Sequence, residues 1–151
     1  MLRPGVTDSL LAVFRLDPAN PDHARALERL SGDTVVWMTT VSPKLQPHPS
    51  AVWFWWDGET ALVYSAGSAR VKNIAANPRV ALSFNSDPQG DDISILYGMA
   101  ALDPAAPPAK DVAGYRARYD QLVPTIGMDW DTMSAHYQFP IRVRLTGYRR
   151  W

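Results

Sequence analysis

Ala51-Val52-Trp53-Phe54-Trp55-Trp56-Asp57-Gly58-Glu59-Thr60-Ala61-Leu62-Val63-Tyr64-Ser65 is the stretch that decides the fold. Asp57-Gly58 supplies the positive-φ residue of a tight hairpin turn, so the runs on either side pair as antiparallel strands. The first run, Ser50 to Asp57, is apolar on both faces. Val52, Phe54 and Trp56 alternate with Ala51, Trp53 and Trp55. A strand with one face in water shows a polar residue at every second position. Here one face must line a core and the other must meet a ligand or a second protein surface. A closed barrel that forms dimers meets both demands.

Working outward, Thr34 to Val41 is a β-branched strand candidate, followed by a loop that carries Pro43, Pro47 and Pro49. Thr60 to Ser65, Val80 to Asn85, Ile93 to Leu102 and Ile141 to Leu145 complete a set of six expected strands. Helices are expected over 21–30, after the turn Pro18-Ala19-Asn20-Pro21 and ended by Gly32, and over 68–77, closed by Pro78. Two more are expected over 110–122 and 130–137, behind the proline-rich residues 104–108. The fold class is therefore mainly β with short helices, a six-stranded barrel. The whole of 1–151 reads as one domain, with residues 1–20 as an N-terminal extension and 104–138 as a helical insert.

Composition removes several classes of function. Fifteen basic and fifteen acidic side chains cancel, so the usual electrostatic case for a nucleic-acid partner is absent. Without cysteine there is no disulfide, thiolate metal site or cysteine nucleophile. No apolar run approaches the length of a membrane span, and the first residues lack the apolar core of a signal peptide. The cytoplasm is the expected location. His23, His48 and His136 are far apart and lack metal-ligand spacing. Asp87, Asp91, Asp92, Asp129 and Asp131 read as turn and cap residues. Hydrolase and dinucleotide-binding signatures are missing.

Chemistry concentrates in Ser68-Ala69-Arg70-Val71-Lys72-Asn73-Ile74-Ala75-Ala76-Asn77-Pro78. With Ser68 as cap, Arg70 and Lys72 fall in the first helical turn, where free backbone N–H groups already make the end partly positive. Cations are unfavourable there unless an anion joins them. A phosphate would meet the helix N–H groups, the arginine fork, the ammonium and the hydroxyls of Ser65 or Ser68. Solvated surface charges are the plainer alternative.

Three segments in order, Val36-Trp37-Met38-Thr39-Thr40-Val41, Gln46 through Gly58 and Ser68 through Pro78, resemble the FMN-binding split-barrel superfamily that includes the pyridoxamine phosphate oxidases. The likeness extends over roughly residues 24–151 and also takes in the ending from Ile141 to Trp151. Within the superfamily the chain looks most similar to the small flavin/deazaflavin oxidoreductases that use coenzyme F420. The resemblance implies a homodimer and a cofactor that carries the chemistry, so that no catalytic side chain is required. Hydride transfer from reduced F420 to a small organic electron acceptor is the implied reaction. FMN is the alternative cofactor. A non-catalytic carrier of flavin, deazaflavin or haem is the alternative role.

By position, the resemblance assigns Arg70 and Lys72 to the cofactor phosphate with Asn73 beside them. Tyr64 and Ser65 end the strand leading into that loop. Ser50, Val52 and Trp53 would line the ring, Gln46, Pro47 and His48 its rim, with His48 facing the substrate. Trp151 would reach the partner's cofactor. Arg142 and Arg144, on one face of the last strand, suit interface salt bridges or an acidic cofactor tail. One departure stands out: Ser42-Pro43-Lys44-Leu45 replaces the family's glycine-containing hairpin.

Overall fold

The structure is a computed structural model that describes residues 14–150. Helix α1 (Pro21–Gly32) precedes strands β1 (Val36–Val41), β2 (Pro47–Val52), β3 (Trp55–Trp56) and β4 (Thr60–Ser65). Helix α2 (Ala69–Ala76), β5 (Arg79–Ser83) and β6 (Ser94–Leu102) follow, then α3 (Ala113–Tyr119), α4 (Trp130–His136) and β7 (Phe139–Arg150). Single 3₁₀ turns, Ala109–Asp111 and Val123–Ile126, flank α3. All strands are antiparallel neighbours in one sheet, ordered β2-β1-β5-β6-β7-β4-β3. No helix among the described residues is long and apolar enough to cross a membrane.

The two edges of this sheet, β2 and β3, are consecutive in the chain and separated only by Trp53 and Phe54. The sheet therefore curls until its edges meet along one polypeptide segment, and the seam of the split barrel lies there. This corrects the expected strand count from six to seven, since the run read as one strand over 50–57 is two. The break has a visible cause. The Tyr119 hydroxyl accepts the Phe54 N–H at 2.7 Å and lies 2.7 Å from the Phe54 carbonyl and 2.8 Å from that of Thr34. Backbone groups of Phe54 that would continue a ladder are satisfied by this one phenol instead.

The first edge is set by its prolines. Pro47 and Pro49, opposite Val41 and Thr39, present no N–H outward, which blocks further strand addition. The β1–β2 turn closes through Ser42 N–H to the Gln46 carbonyl at 2.9 Å and Leu45 N–H to the Ser42 carbonyl at 2.8 Å. Leu45 takes φ 62°, the left-handed conformation for which glycine is the easy choice. The departure noted in the sequence is thus accommodated at a local backbone cost. The Asp57-Gly58 hairpin forms as expected, with Gly58 at φ 101° and Asp57 Oδ1 accepting from Glu59 and Thr60 N–H.

The barrel interior holds Val36, Met38, Phe54, Ala61, Val63, Leu82, Leu96, Ile141, Val143 and Leu145. Ala26 and Leu30 of α1 close one end of it. The helix starts where Asn20 accepts from Asp22 and His23 N–H. Its Arg29 lies buried between Asp33, the Asn85 carbonyl and the Phe84 ring. A second apolar cluster forms outside the barrel, where Tyr115, Tyr119, Val123 and Met133 of the helical segment pack on Leu62 and Tyr64. Gly114 makes this approach feasible, because a Cβ there would fall 2.2 Å from the Trp55 ring.

Candidate functional site

Arg70 is the centre of the site. It occupies the second position of α2, whose first turn contains no acidic residue and whose cap, Ser68, makes no side-chain capping bond. The guanidinium turns back across the barrel end to β2 and β4. Its Nε and Nη2 donate to Ser50 Oγ at 3.2 and 2.8 Å, and Nη1 donates to Ser65 Oγ at 2.8 Å. Those three bonds leave two of the five guanidinium N–H groups free, and no carboxylate forms an ion pair with it among the described residues. Burial holds its pKa below the usual arginine value, and the nearby Tyr137 phenol acts in the opposite direction. Among the described residues this half-buried cation is held only by hydroxyls and has no counter-ion, so its two remaining N–H groups are able to take an anion.

Two clefts of about 200 Å³ each meet at this side chain. One is polar and lined by Thr40, His48, Pro49, Ser50, Ser68, Ala69 and Arg70. The other is aromatic, with Ala51, Val52, Trp53 and Tyr64 on the barrel side. Tyr115, Ile126, Met133 and Tyr137 of the helical segment form its opposite wall. Trp53 is fixed by stacking on Tyr119, centroids 4.6 Å apart and planes within 4°. The Tyr64 hydroxyl donates to the Pro107 carbonyl at 2.5 Å. Burial pushes the Tyr64 phenol up to about 12 and the Tyr115 phenol further in the same direction, so both stay protonated and serve only as neutral groups at ordinary pH.

Of the residues singled out in the sequence, Ser50, Val52, Trp53, Tyr64 and Arg70 line the groove, and His48 lines its polar arm rather than its ring arm. Ser65 is buried and holds Arg70, while its own hydroxyl donates to the Ala66 carbonyl at 2.9 Å. Asn73 is buried too, its Nδ2 donating to Thr40 Oγ1 at 3.0 Å, which locks α2 onto β1. Lys72 is exposed and lines neither cleft. It follows Arg70 by two positions, about 200° around the helix. Gln46 and Pro47 are exposed and lie outside both linings, and Trp151 lies outside the described residues. Arg142 is engaged within the chain by Asp103, Asp57 and Thr60.

Sequence reasoning missed the wall formed by Tyr115, Ile126, Met133 and Tyr137. The aromatic density of residues 115–137 was the available signal, since a solvated insert has no use for it. Among the described residues no group of three or more His, Asp or Glu is arranged to hold a metal ion.

Known proteins with the same architecture put this groove in context. A structure described as an F420 reductase superposes with a TM-score of 0.64 at 26% identity, covering 82% of this chain and 96% of that one. HutZ, the haem storage protein from Vibrio cholerae, shares the fold at a TM-score of 0.58 and 18% identity, covering 91% and 95% of the two chains. A conserved hypothetical protein from Mycobacterium tuberculosis does so at 0.65 and 21% identity, over 85% and 82%. No curated protein matches the chain. The seam-closed antiparallel sheet and the match of residues 22–140 agree on one assignment: the chain belongs to the pyridoxamine 5′-phosphate oxidase family.

Proposed function

We propose that the groove binds a flavin-type cofactor, coenzyme F420 before FMN, and that the protein is an oxidoreductase passing a hydride from reduced F420 to a small organic acceptor. The observation that carries this reading is Arg70, a cation without a counter-ion among the described residues, at the junction of a polar and an aromatic cleft. A phosphate tethered to a flat ring system suits both arms at once. Bound there, the ring supplies the two-electron chemistry. The chain supplies position: Arg70 and Ser50 take the phosphate, Ser65 and Asn73 hold Arg70 and α2 in place, and Val52, Trp53 and Tyr64 flank the ring.

A non-catalytic carrier of flavin, deazaflavin or haem is the second reading. It draws on the fold shared with the haem storage protein HutZ. Titration of the purified protein with F420 and with FMN, followed by quenching of its six tryptophans, tests the cofactor. Tight binding of either supports the groove, and binding of neither overturns it. Turnover of bound reduced F420 with an added electron acceptor then separates enzyme from carrier.

The second face of the sheet supports a homodimer as the working form. Trp37 and Tyr97 are each 42% exposed on its outer side, with Ala81 opposite Tyr97 and Trp37 opposite Ser83. Trp37→Asp together with Tyr97→Asp is expected to convert a dimeric mass in ultracentrifugation to a monomeric one. A wild-type monomer sinks the proposal.

A further inference from the structure

His48 lines the polar cleft and not the aromatic one. It is the cross-strand partner of Thr40, so the two side chains share the inner face of the β1–β2 pair. Ser50, two residues along the same strand, shares that face and receives Arg70. One pleat, about 7 Å, therefore separates the position of the imidazole from the hydroxyl that holds the guanidinium. Both His48 and Arg70 line the polar cleft. Among the described residues its lining holds no carboxylate: Thr40, Ser50 and Ser68 offer hydroxyls, and Arg70 of α2 is the one charged side chain facing His48 there. Two nitrogen donors across a cleft of about 200 Å³ repel when both are charged, unless an anion lies between them.

We infer that His48 is the second jaw of the anion clamp, closing on the phosphate from β2 opposite Arg70 on α2, rather than a residue that contacts the electron acceptor. The inference rests on the cofactor reading above. An imidazole N–H can donate to a phosphate oxygen, so His48 strengthens the grip on phosphate-bearing ligands and leaves ligands lacking phosphate unaffected. His48 is exposed, which limits the gain to the size of a solvent-exposed polar contact, about threefold in affinity.

The test uses the full chain and four probes: FMN, riboflavin, F420 and the phosphate-free ribityl deazaflavin that forms its chromophore end. Each is titrated at one buffered pH against wild type, His48→Ala and Arg70→Ala. The quantity read is the wild-type to His48→Ala affinity ratio. A ratio of about three is expected for FMN and F420, and about one for the phosphate-free probes. A ratio of about one for all four probes, or an equal loss for the phosphate-free probes, overturns the clamp. Should phosphate make no difference to wild type, or Arg70→Ala leave binding intact, the cofactor groove itself fails and the clamp with it. A phosphate preference that depends on Arg70 but not on His48 rejects the clamp alone.

Discussion

The polar and aromatic ends of the groove are built on opposite plans. The polar end is a hydrogen-bonded device: Arg70 reaches Ser50 and Ser65 across three elements, and Asn73 pins the helix to Thr40. The aromatic end is a packing device, in which Tyr115, Met133 and Tyr137 close on Trp53 and Tyr64 from a segment that forms its own cluster outside the barrel. A hydrogen-bonded end can distinguish charged from neutral ligands, because an unsatisfied buried donor is costly. A packed end distinguishes shape and size, and its precision depends on how tightly the helices approach the sheet. Charge selection and shape selection are thus separable in this molecule, and substitutions at each end should expose different halves of the ligand.

The largest effect is expected at the polar end. Arg70→Ala removes the guanidinium that faces the anion, and bonds to charged groups are worth about 1.5–3 kcal/mol. Affinity for F420 or FMN should fall between about tenfold and a hundredfold, with riboflavin binding little altered. Parallel fluorescence titrations measure both. Equal losses for the phosphate-bearing and phosphate-free ligands would erase the distinction between the two ends.

Gly114→Ala strikes the other plan. Its Cβ would lie 2.2–2.4 Å from three atoms of the Trp55 ring, so α3 must lift or Trp55 must leave its place. Overpacking of this kind costs about 1–3 kcal/mol, which in a chain of this length lowers the melting temperature by several degrees, at about 2–4 °C per kcal/mol. Calorimetry should register that loss, and riboflavin and FMN should weaken by the same factor. A loss confined to FMN would show that the helical wall also reads charge.

How much of this was legible beforehand follows from the same contrast. Arg70 could be found because its place in the first turn of a helix conflicts with the local backbone dipole, and a conflict of that kind is visible in a linear sequence. The barrel could be found because Ala51 to Trp56 is apolar on both faces. The seam could not. Nothing local in Trp53-Phe54 announces a strand break, which is imposed by the Tyr119 hydroxyl from 65 residues away. The helical wall was hidden for a related reason: short helices with 3₁₀ turns between them have little periodicity, and α3 keeps only Ala113–Tyr119 of the longer helix expected over 110–122. Six strands became seven through that one tertiary contact.

Alkaline pH offers a graded test of the same division. Burial pushes Tyr119 and Tyr64 up to about 12, from the usual phenol value of 10.0. Between those values the unfolded chain gives up protons that the folded one keeps, so stability is complete below pH 10 and is lost as the pH climbs towards 12. The loss should be on the order of 1 kcal/mol for each phenol one pH unit above 10. The share of these two belongs to the aromatic end and to the seam that Tyr119 plugs, while Tyr115 of the aromatic end and Tyr148 against α1, both raised by burial, add to the total. Urea midpoints at pH 9 and at about pH 11 are expected to separate in wild type, and to separate less in Tyr119→Phe. Coincident midpoints would mean that the phenols open to solvent without disturbing the barrel.

Lys72 gives the smallest expected change and the sharpest check on what a helix start can do. Sequence similarity pairs it with Arg70, yet Lys72 lies exposed about 200° around α2 and outside both linings. Only the general field of an exposed ammonium would reach an anion at the barrel end, and at about 0.15 M salt that field is screened over about 8 Å. Lys72→Ala should therefore lower F420 or FMN affinity by no more than about twofold, and the effect should vanish as salt is raised. A tenfold loss that persists in high salt would place the ammonium on the ligand. The polar end would then be a two-cation grip extending along the helix, and its separation from the rest of the surface would be narrower than the two hydroxyls on Arg70 suggest.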